Sequence, residues 1–115
     1  MSSNFFLTPE DARKLIHDAL LGTRTSQENA EYFTEAILYT ELSGLEGHGF
    51  YWLQYYCSHL LSGKVDGKVT PKINAVSKTC FRVDALHGFA HLAIEAGFRH
   101  LIPAAREHGI SVMTV

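Results

Sequence analysis

The chain has 115 residues, a length that allows one ordinary domain or two very small ones. Apolar residues make up 46% and charged residues 19%, which is ordinary globular usage and argues against disorder. A net charge of −2 argues against a dedicated nucleic-acid binder. The sequence contains neither a membrane-spanning apolar run nor the start of a secretory signal. We therefore expect a cytoplasmic protein with no nucleic-acid or membrane partner.

Two capped helices are predicted at the start of the chain. Thr8 precedes a Pro and two acidic residues, and this helix extends to about residue 22. The second helix opens at Thr25 or Ser26, where Thr25 and Glu28 form a possible capping box. The short link predicts an antiparallel pair.

A third helix is predicted from Phe50 to Leu61, followed by a turn-rich connector. We expect these helices to bury Leu15, Phe33, Ile37, Leu53 and Leu60. The later elements are predicted as strands Lys72–Lys78 and Cys80–Ala85, a helix Gly88–His108 and a buried strand Ile110–Val115. Pro103 should kink or split that helix. Its inward face should carry Ala90, Ala93, Ile94, Gly97, Leu101 and Ala105.

These elements predict an α/β fold with two parts. Residues 1–66 form a helical segment of three helices, and residues 67–115 begin a mixed α/β layer in the order strand, strand, helix, strand. A sheet of two or three strands is marginal. The chain is therefore expected to be the front part of something larger, or to pair with another chain.

His48 is the residue that the sequence singles out for chemistry. It lies between Gly47 and Gly49, just before the third helix. Glycines allow close backbone approach, and a helix start offers amide donors and positive potential to an anionic group. That potential favours neutral imidazole, while Glu46 favours the protonated form. Such a histidine suits proton transfer near neutral pH, but it equally suits a capping or packing role at a glycine-rich turn.

Other candidate sites are weaker. The order G-x-x-G-x-G after a helix is not the dinucleotide fingerprint, which follows a strand. His87 and His91 have zinc-like spacing but no matching third ligand, so no metal is expected. Cys57 and Cys80 are expected to be free thiols. The aromatic run that begins at Phe50 is typical of helix packing, with a stacking platform as the alternative.

Several motifs follow one another in a distinctive order. Two capped helices lead to a G-x-x-x-HG turn, a helix ending L-x-x-G-K-V, a P-K-I strand start, a V-D strand end with G-F-A-H, and a helix ending A-R-E-H-G-I. This order resembles the malate/L-lactate dehydrogenase family that lacks a Rossmann domain and includes ureidoglycolate and sulfolactate dehydrogenases. The resemblance runs from about Leu7 to Val115 and corresponds to the N-terminal part of such enzymes.

The resemblance implies a role for His48. In that family the turn typically reads G-H-D-S-H-G, and the final His transfers a proton while hydride moves between a nicotinamide and a 2-hydroxy or 2-oxo acid. Leu45 replaces the first His and Gly47 replaces the Ser. Trp52 stands where the family has an Arg that partners the substrate carboxylate, and an indole cannot form that clamp.

The resemblance further implies NAD or NADP as cofactor, a small 2-hydroxy or 2-oxo acid as substrate, and a homodimer or other homo-oligomer. The family's second site histidine and much of its nicotinamide site would follow residue 115. The isolated chain is therefore expected to be inactive. A non-catalytic binding or oligomerisation domain and an inactive truncated product remain the alternative functions.

Overall fold

The computed structural model describes residues 4–45 and 47–115 and confirms the predicted α/β class. The chain divides into two compact units, Met1–Ser62 and Gly63–Val115. That the parts 1–66 and 67–115 are domains stays a prediction. None of the described helices is both long enough and apolar enough to cross a membrane.

The first unit contains three helices: α1 (Pro9–Gly22), α2 (Gln27–Leu42) and α3 (Phe50–Ser62). The Thr8 hydroxyl caps α1 by accepting a hydrogen bond from the amide of Asp11, 3.1 Å away. These bounds confirm the three predicted helices.

The start of α2 differs from the predicted capping box. Ser26 is the N-cap, and its hydroxyl accepts from the amide of Asn29 at 3.3 Å. Thr25 is buried instead, and its hydroxyl has no hydrogen-bond partner among the described residues. The predicted start at Thr25 or Ser26 is thus met by Ser26, whereas the box of Thr25 and Glu28 was wrong because α2 begins one residue too late for Thr25 to be its N-cap.

The helices α1 and α2 pack side by side and run antiparallel, as predicted. Arg13 on α1 donates to the carboxylate of Glu35 on α2 at 2.6 Å. Four residues further along α1, His17 lies 3.4 Å from Gln27, at the beginning of α2. As the contacting residue moves toward the end of α1, its partner moves toward the beginning of α2, so the two helices run in opposite directions.

The core of the first unit is built from one stripe of each helix. Phe33 is fully buried, and its ring meets Tyr56 edge-on with the ring centres 4.9 Å apart. Burial raises the pKa of the Tyr56 hydroxyl. Leu15 was wrongly predicted as buried, since half of it is exposed. The stripe of α1 follows Ala12, Ile16 and Leu20, whose spacing of four excludes residue 15.

The second unit is a three-stranded sheet with one helix. Its elements are β1 (Lys72–Ala75), β2 (Cys80–Asp84), α4 (Ala90–His108) and β3 (Val112–Thr114). The strand order is β1-β2-β3, with β1 antiparallel and β3 parallel to β2. The helix α4 connects the two parallel strands, as a parallel pair requires.

Several predicted bounds in this unit were too generous. The strand predicted to Lys78 ends at Ala75, because the amides of Val76 and Ser77 both turn to donate to the carbonyl of Cys80. The helix begins at Ala90 after Phe89 as N-cap. It runs without a break past Pro103, so the predicted split was wrong, and a kink stays a prediction.

Small residues bring α4 against the sheet. Phe81 and Val83 on one face of β2 are buried, and Gly97 of α4 lies close to Val83. A Cβ at Gly97 would come within 3.1 Å of the Val83 side chain and would also crowd Met113. Ala93 and Ala104 flank this close contact.

Some predicted inward positions of the second unit are exposed. Ala90 and Ile94 of α4 lie at the surface. The residues that α4 buries are instead Ala93, Gly97 and Ala104. The strand Ile110–Val115 is shorter than predicted and not buried, with Ile110 76% exposed. Its edge position leaves it with a single neighbouring strand.

Replacing Phe33 by Ala should lower the free energy of unfolding by about 3–5 kcal/mol, because it empties a fully buried aromatic site. The matched control is Tyr39→Ala on the same helix, where the side chain is 75% exposed and the change should stay within about 0.5 kcal/mol. Urea denaturation followed by circular dichroism measures both. A loss below about 1 kcal/mol for Phe33→Ala would contradict the assigned core.

Candidate active site

His48 lies in the turn between α2 and α3, just before Phe50 opens α3. Its side chain is exposed, and its amide donates to the carbonyl of Leu45 at 3.1 Å. Gly44 and Gly47 have φ values of 72° and 79°, which side chains rarely tolerate, so these glycines allow the chain to reverse. This confirms the predicted location at an open helix start. The catalytic role of His48 stays a prediction.

Glu41, in the last turn of α2, closes both ends of this turn. Its backbone carbonyl accepts a hydrogen bond from the amide of Gly44 at 3.0 Å. Its side-chain Oε2 accepts one from the amide of Phe50 at 2.8 Å. One residue thus anchors the first and last peptide groups of the loop that carries His48. A carboxylate at this point is also favoured by the positive end of α3.

Gly49 makes this arrangement possible. A Cβ on Gly49 would lie 2.9 Å from the Cβ and 3.0 Å from the Cα of Glu41, and would overlap the carboxylate as well. The end of α2 and the start of α3 can therefore come this close only because the residue after His48 has no side chain. The second glycine of Gly47-His48-Gly49 serves packing against α2.

The start of α3 consequently differs from the sequence expectation. The amide of Phe50 was expected to be open to an anionic ligand, but the Glu41 carboxylate occupies it. Glu46, expected to influence the charge of His48, lies outside the described residues. Among the described residues, the structure places the carboxylate of Glu41 beside the turn, which no spacing rule predicted.

Three aromatic rings form a cluster on the exposed side of α3, beginning in its first turn. Trp52 lies with its ring centre 5.7 Å from that of Tyr51 and 5.0 Å from that of Tyr55. Trp52 remains 38% exposed, and both tyrosines are also exposed. The cluster combines mutual ring packing with access to ligand, so both sequence alternatives for this run are compatible with it.

A second tight turn follows β2. Leu86 and His87 both have positive φ, 52° and 62°, and the amide of Gly88 donates to the carbonyl of Ala85 at 2.8 Å. His91 lies beyond it in the first turn of α4, and burial lowers the pKa of its imidazole. Among residues 4–45 and 47–115, no group of three or more potential ligands is arranged to hold a metal ion.

The malate/L-lactate dehydrogenase family model matches residues 7–115. The chain belongs to this family. Among solved structures, the Δ1-piperideine-2-carboxylate reductase of Pseudomonas syringae pv. tomato superposes with a TM-score of 0.89 and 31% identity. The match covers 96% of this chain and 33% of that one.

Curated members of the malate/L-lactate dehydrogenase family are likewise matched over about a third of their own length. A Δ1-pyrroline-2-carboxylate reductase of Ancylobacter novellus is 33% identical over 109 residues, 95% of this chain and 32% of its own. A (2R)-3-sulfolactate dehydrogenase (NADP⁺) of Chromohalobacter salexigens is 33% identical over 105 residues, 91% and 31% of the two chains. The chain therefore spans about a third of the length of the relatives it matches.

Replacing Gly49 by Ala should destabilise this malate/L-lactate dehydrogenase family member by about 1–3 kcal/mol, because the added methyl group meets the backbone of Glu41. Gly22→Ala is the matched control. Its Cβ would meet nothing within 4 Å, so its free energy of unfolding should be unchanged or slightly raised. Equal stabilities of the two variants would show that α2 and the turn do not approach as described.

Proposed function

We propose that this chain is the N-terminal part of a nicotinamide-dependent oxidoreductase acting on a small 2-hydroxy, 2-oxo or cyclic 2-imino acid, with His48 as its proton-transfer residue. The observation that supports it is an exposed imidazole in a glycine turn anchored by Glu41, in a member of this dehydrogenase family. A homo-oligomer in the cytoplasm is part of the same proposal and is supported by the resemblance alone.

The chemistry requires one proton and one hydride. Reduction of a carbonyl or imine adds hydride to carbon and a proton to oxygen or nitrogen. A nicotinamide cofactor, when bound, would supply the hydride. His48 as imidazolium donates the proton, and in the reverse direction its neutral form takes the proton from the hydroxyl or amine. Imidazole suits this exchange because histidine changes charge near neutral pH.

The described residues around His48 do not fit the pyrophosphate of a dinucleotide. Such a group needs free helix amides or cationic side chains. The amide of Phe50 is bonded to the Glu41 carboxylate, which would also repel phosphate. No Lys or Arg occurs between Ser43 and Ser62. We therefore place the pyrophosphate of the cofactor away from the His48 turn.

The substrate class rests on the relatives and on Trp52. The two relatives named as reductases act on cyclic imino acids, and the third acts on sulfolactate. All three substrates carry a carboxylate beside the reacting carbon. Trp52 replaces the implied carboxylate clamp, and its single N–H can donate only one hydrogen bond. The aromatic cluster instead favours a flat or cyclic substrate that can stack on it.

The first test concerns activity. The isolated chain is expected to show no turnover of malate or lactate, because one proton-transfer group supplies only about 10²–10⁴-fold of the rate enhancement. A chimera, with residues 1–115 replacing the matched segment of the P. syringae reductase, is expected to reduce a cyclic imino acid. In it, His48→Ala should lower kcat/KM by about 10²–10⁴-fold, measured by nicotinamide absorbance.

The control is His59→Ala, a histidine on α3 outside the turn, which should leave kcat/KM unchanged. An active chimera that is insensitive to His48→Ala would contradict the role of His48. A folded chimera without any activity would instead favour the non-catalytic alternative. Gly47 and Trp52, which replace the Ser and Arg typical of the family, also favour that alternative.

The same chimera tests substrate choice through Trp52→Arg. An Arg offers two parallel hydrogen bonds to a carboxylate, so KM for an open-chain 2-oxo acid should fall by about tenfold. KM for the cyclic imino acid should rise, because the stacking surface is lost. Unchanged KM values for both substrates would show that Trp52 does not face the substrate.

A further inference from the structure

Tyr51, Trp52 and Tyr55 form an aromatic cluster on α3 in which no two rings lie parallel. The ring centres of Tyr51 and Tyr55 are 6.1 Å apart, and their planes are inclined by 43°. The plane of Trp52 is inclined by 83° to Tyr51 and by 51° to Tyr55. Rings inclined in this way cannot fully cover one another's faces, and each of the three residues is at least 38% exposed. The cluster therefore presents ring faces, as well as ring edges, to a ligand.

The electrostatic potential at this cluster comes from the rings themselves. Their helix, Phe50–Ser62, contains no Lys, Arg, Asp or Glu. The Arg24 side chain reaches α3 only at its other end, where it donates to the carbonyl of Leu61 at 3.3 Å. The face of an aromatic ring is negative and attracts a cation within about 6 Å of the ring centre, most strongly in Trp. The cluster is therefore suited to a positively charged group.

The aromatic cluster is joined to the His48 turn through the backbone. The amide of Trp52 donates to the carbonyl of Gly49 at 3.2 Å, so Trp52 is hydrogen-bonded to the residue next to His48. Between them, the amide of Phe50 is bonded to Glu41. One turn of helix rises about 5.4 Å, a distance that a small cyclic acid can span. The imidazole and the rings thus belong to one short segment that a single substrate can contact.

An imine and a ketone differ in charge once they meet a proton donor such as His48. The lone pair of an imine nitrogen accepts the proton of the imidazolium, which leaves the imidazole neutral and the C=N group positive. Hydride then adds to the carbon, the C=N electron pair moves to nitrogen, and the charge is cancelled. A ketone oxygen is a far weaker base and takes its proton only as hydride reaches the carbon. The ketone therefore never carries the full positive charge of an iminium.

We propose that Tyr51, Trp52 and Tyr55 recognise the iminium cation of a cyclic 2-imino acid and thereby favour it over a 2-oxo acid, whose carbonyl is uncharged. This selection rests on the proposed function, because the proton that creates the cation comes from His48. Trp52 is the specificity-determining residue, since its ring contacts both tyrosines and its amide is bonded to Gly49. A positive side chain at this position would repel the same cation.

A neutral stacking surface is the rival role for the cluster, and it fits the geometry less well. Planes inclined by 43° to 83° do not form one flat platform, so a planar ligand can stack on only one ring at a time. A cation has no preferred plane and is attracted by several ring faces together. A stacking surface would also bind charged and uncharged rings of the same shape equally.

The experiment compares two ligands of the same shape and different charge in the chimera. N,N-dimethylproline carries a permanently positive ring nitrogen, whereas 2,2-dimethylcyclopentanecarboxylate has a carbon atom in its place. Calorimetry gives a dissociation constant for each without any turnover. The chimera is expected to bind the cation at least about fivefold more tightly than the carbocycle.

Paired variants assign this preference to the rings. Trp52→Leu should bring the ratio of the two dissociation constants to within about twofold of one, whereas Trp52→Phe keeps a ring face and should retain part of the preference. Tyr55→Leu is a second variant that should lower the ratio. The matched control is Tyr39→Leu, an exposed tyrosine on α2, which should leave the ratio unchanged. Circular dichroism checks that each variant is folded.

Turnover separates the selection of the cation from the proposed role of His48. In an active chimera, Trp52→Leu should lower kcat/KM for the cyclic imino acid by about tenfold and change it by less than about twofold for a 2-oxo acid. His48→Ala should lower kcat/KM for both substrates but leave the ratio of dissociation constants unchanged. An inactive chimera that still prefers the cation would count against the proposed function and not against the cluster.

Three results would overturn the proposal. The first is equal affinity for the two ligands, or no binding of the cation, in the unaltered chimera. The second is a preference for the cation that survives both Trp52→Leu and Tyr55→Leu. The third is a loss of kcat/KM in Trp52→Leu that is equal for the imino and the oxo acid, which a merely structural role of Trp52 would produce.

Discussion

The first unit depends on the contact between Glu41 and the peptide groups on either side of its loop. The Glu41 carbonyl holds Gly44, its carboxylate holds Phe50, and the missing side chain of Gly49 lets these segments approach. Because α3 begins at the second of these hydrogen bonds, the direction of α3 and the location of His48 are set together. The same carboxylate neutralises the positive end of α3, so the turn presents a histidine rather than an anion site.

The two units differ in how much of their own apolar surface they bury. The first unit buries a stripe from each of its three helices around Phe33. The second buries one face of β2 under α4 but leaves β3 and a flank of α4 exposed. A parallel strand gains stability from neighbours on both sides, and here it has one. This asymmetry agrees with a chain that spans about a third of its relatives' length.

Local signals in the sequence predicted the elements well, because helix caps and glycine stops act within a few residues. The capping box assigned to Thr25, and the early end of β1 at Ala75, are errors of such local rules by a few positions. Glu41 could not be predicted, since its role depends on a hydrogen bond across nine residues and on the space left by Gly49. The exposure of β3 was missed for a related reason: β-branched composition indicates a strand but not its neighbours.

Hydrogen exchange at the amide of Phe50 tests most directly whether Glu41 sets the His48 turn. In the unaltered chain this amide should be protected, and Glu41→Ala should speed its exchange by at least about tenfold, because its acceptor is lost. Glu41→Gln keeps an acceptor oxygen and should retain most of the protection, while the Leu60 amide within α3 should be unaffected in both variants. Unchanged protection of Phe50 in Glu41→Ala would contradict the account.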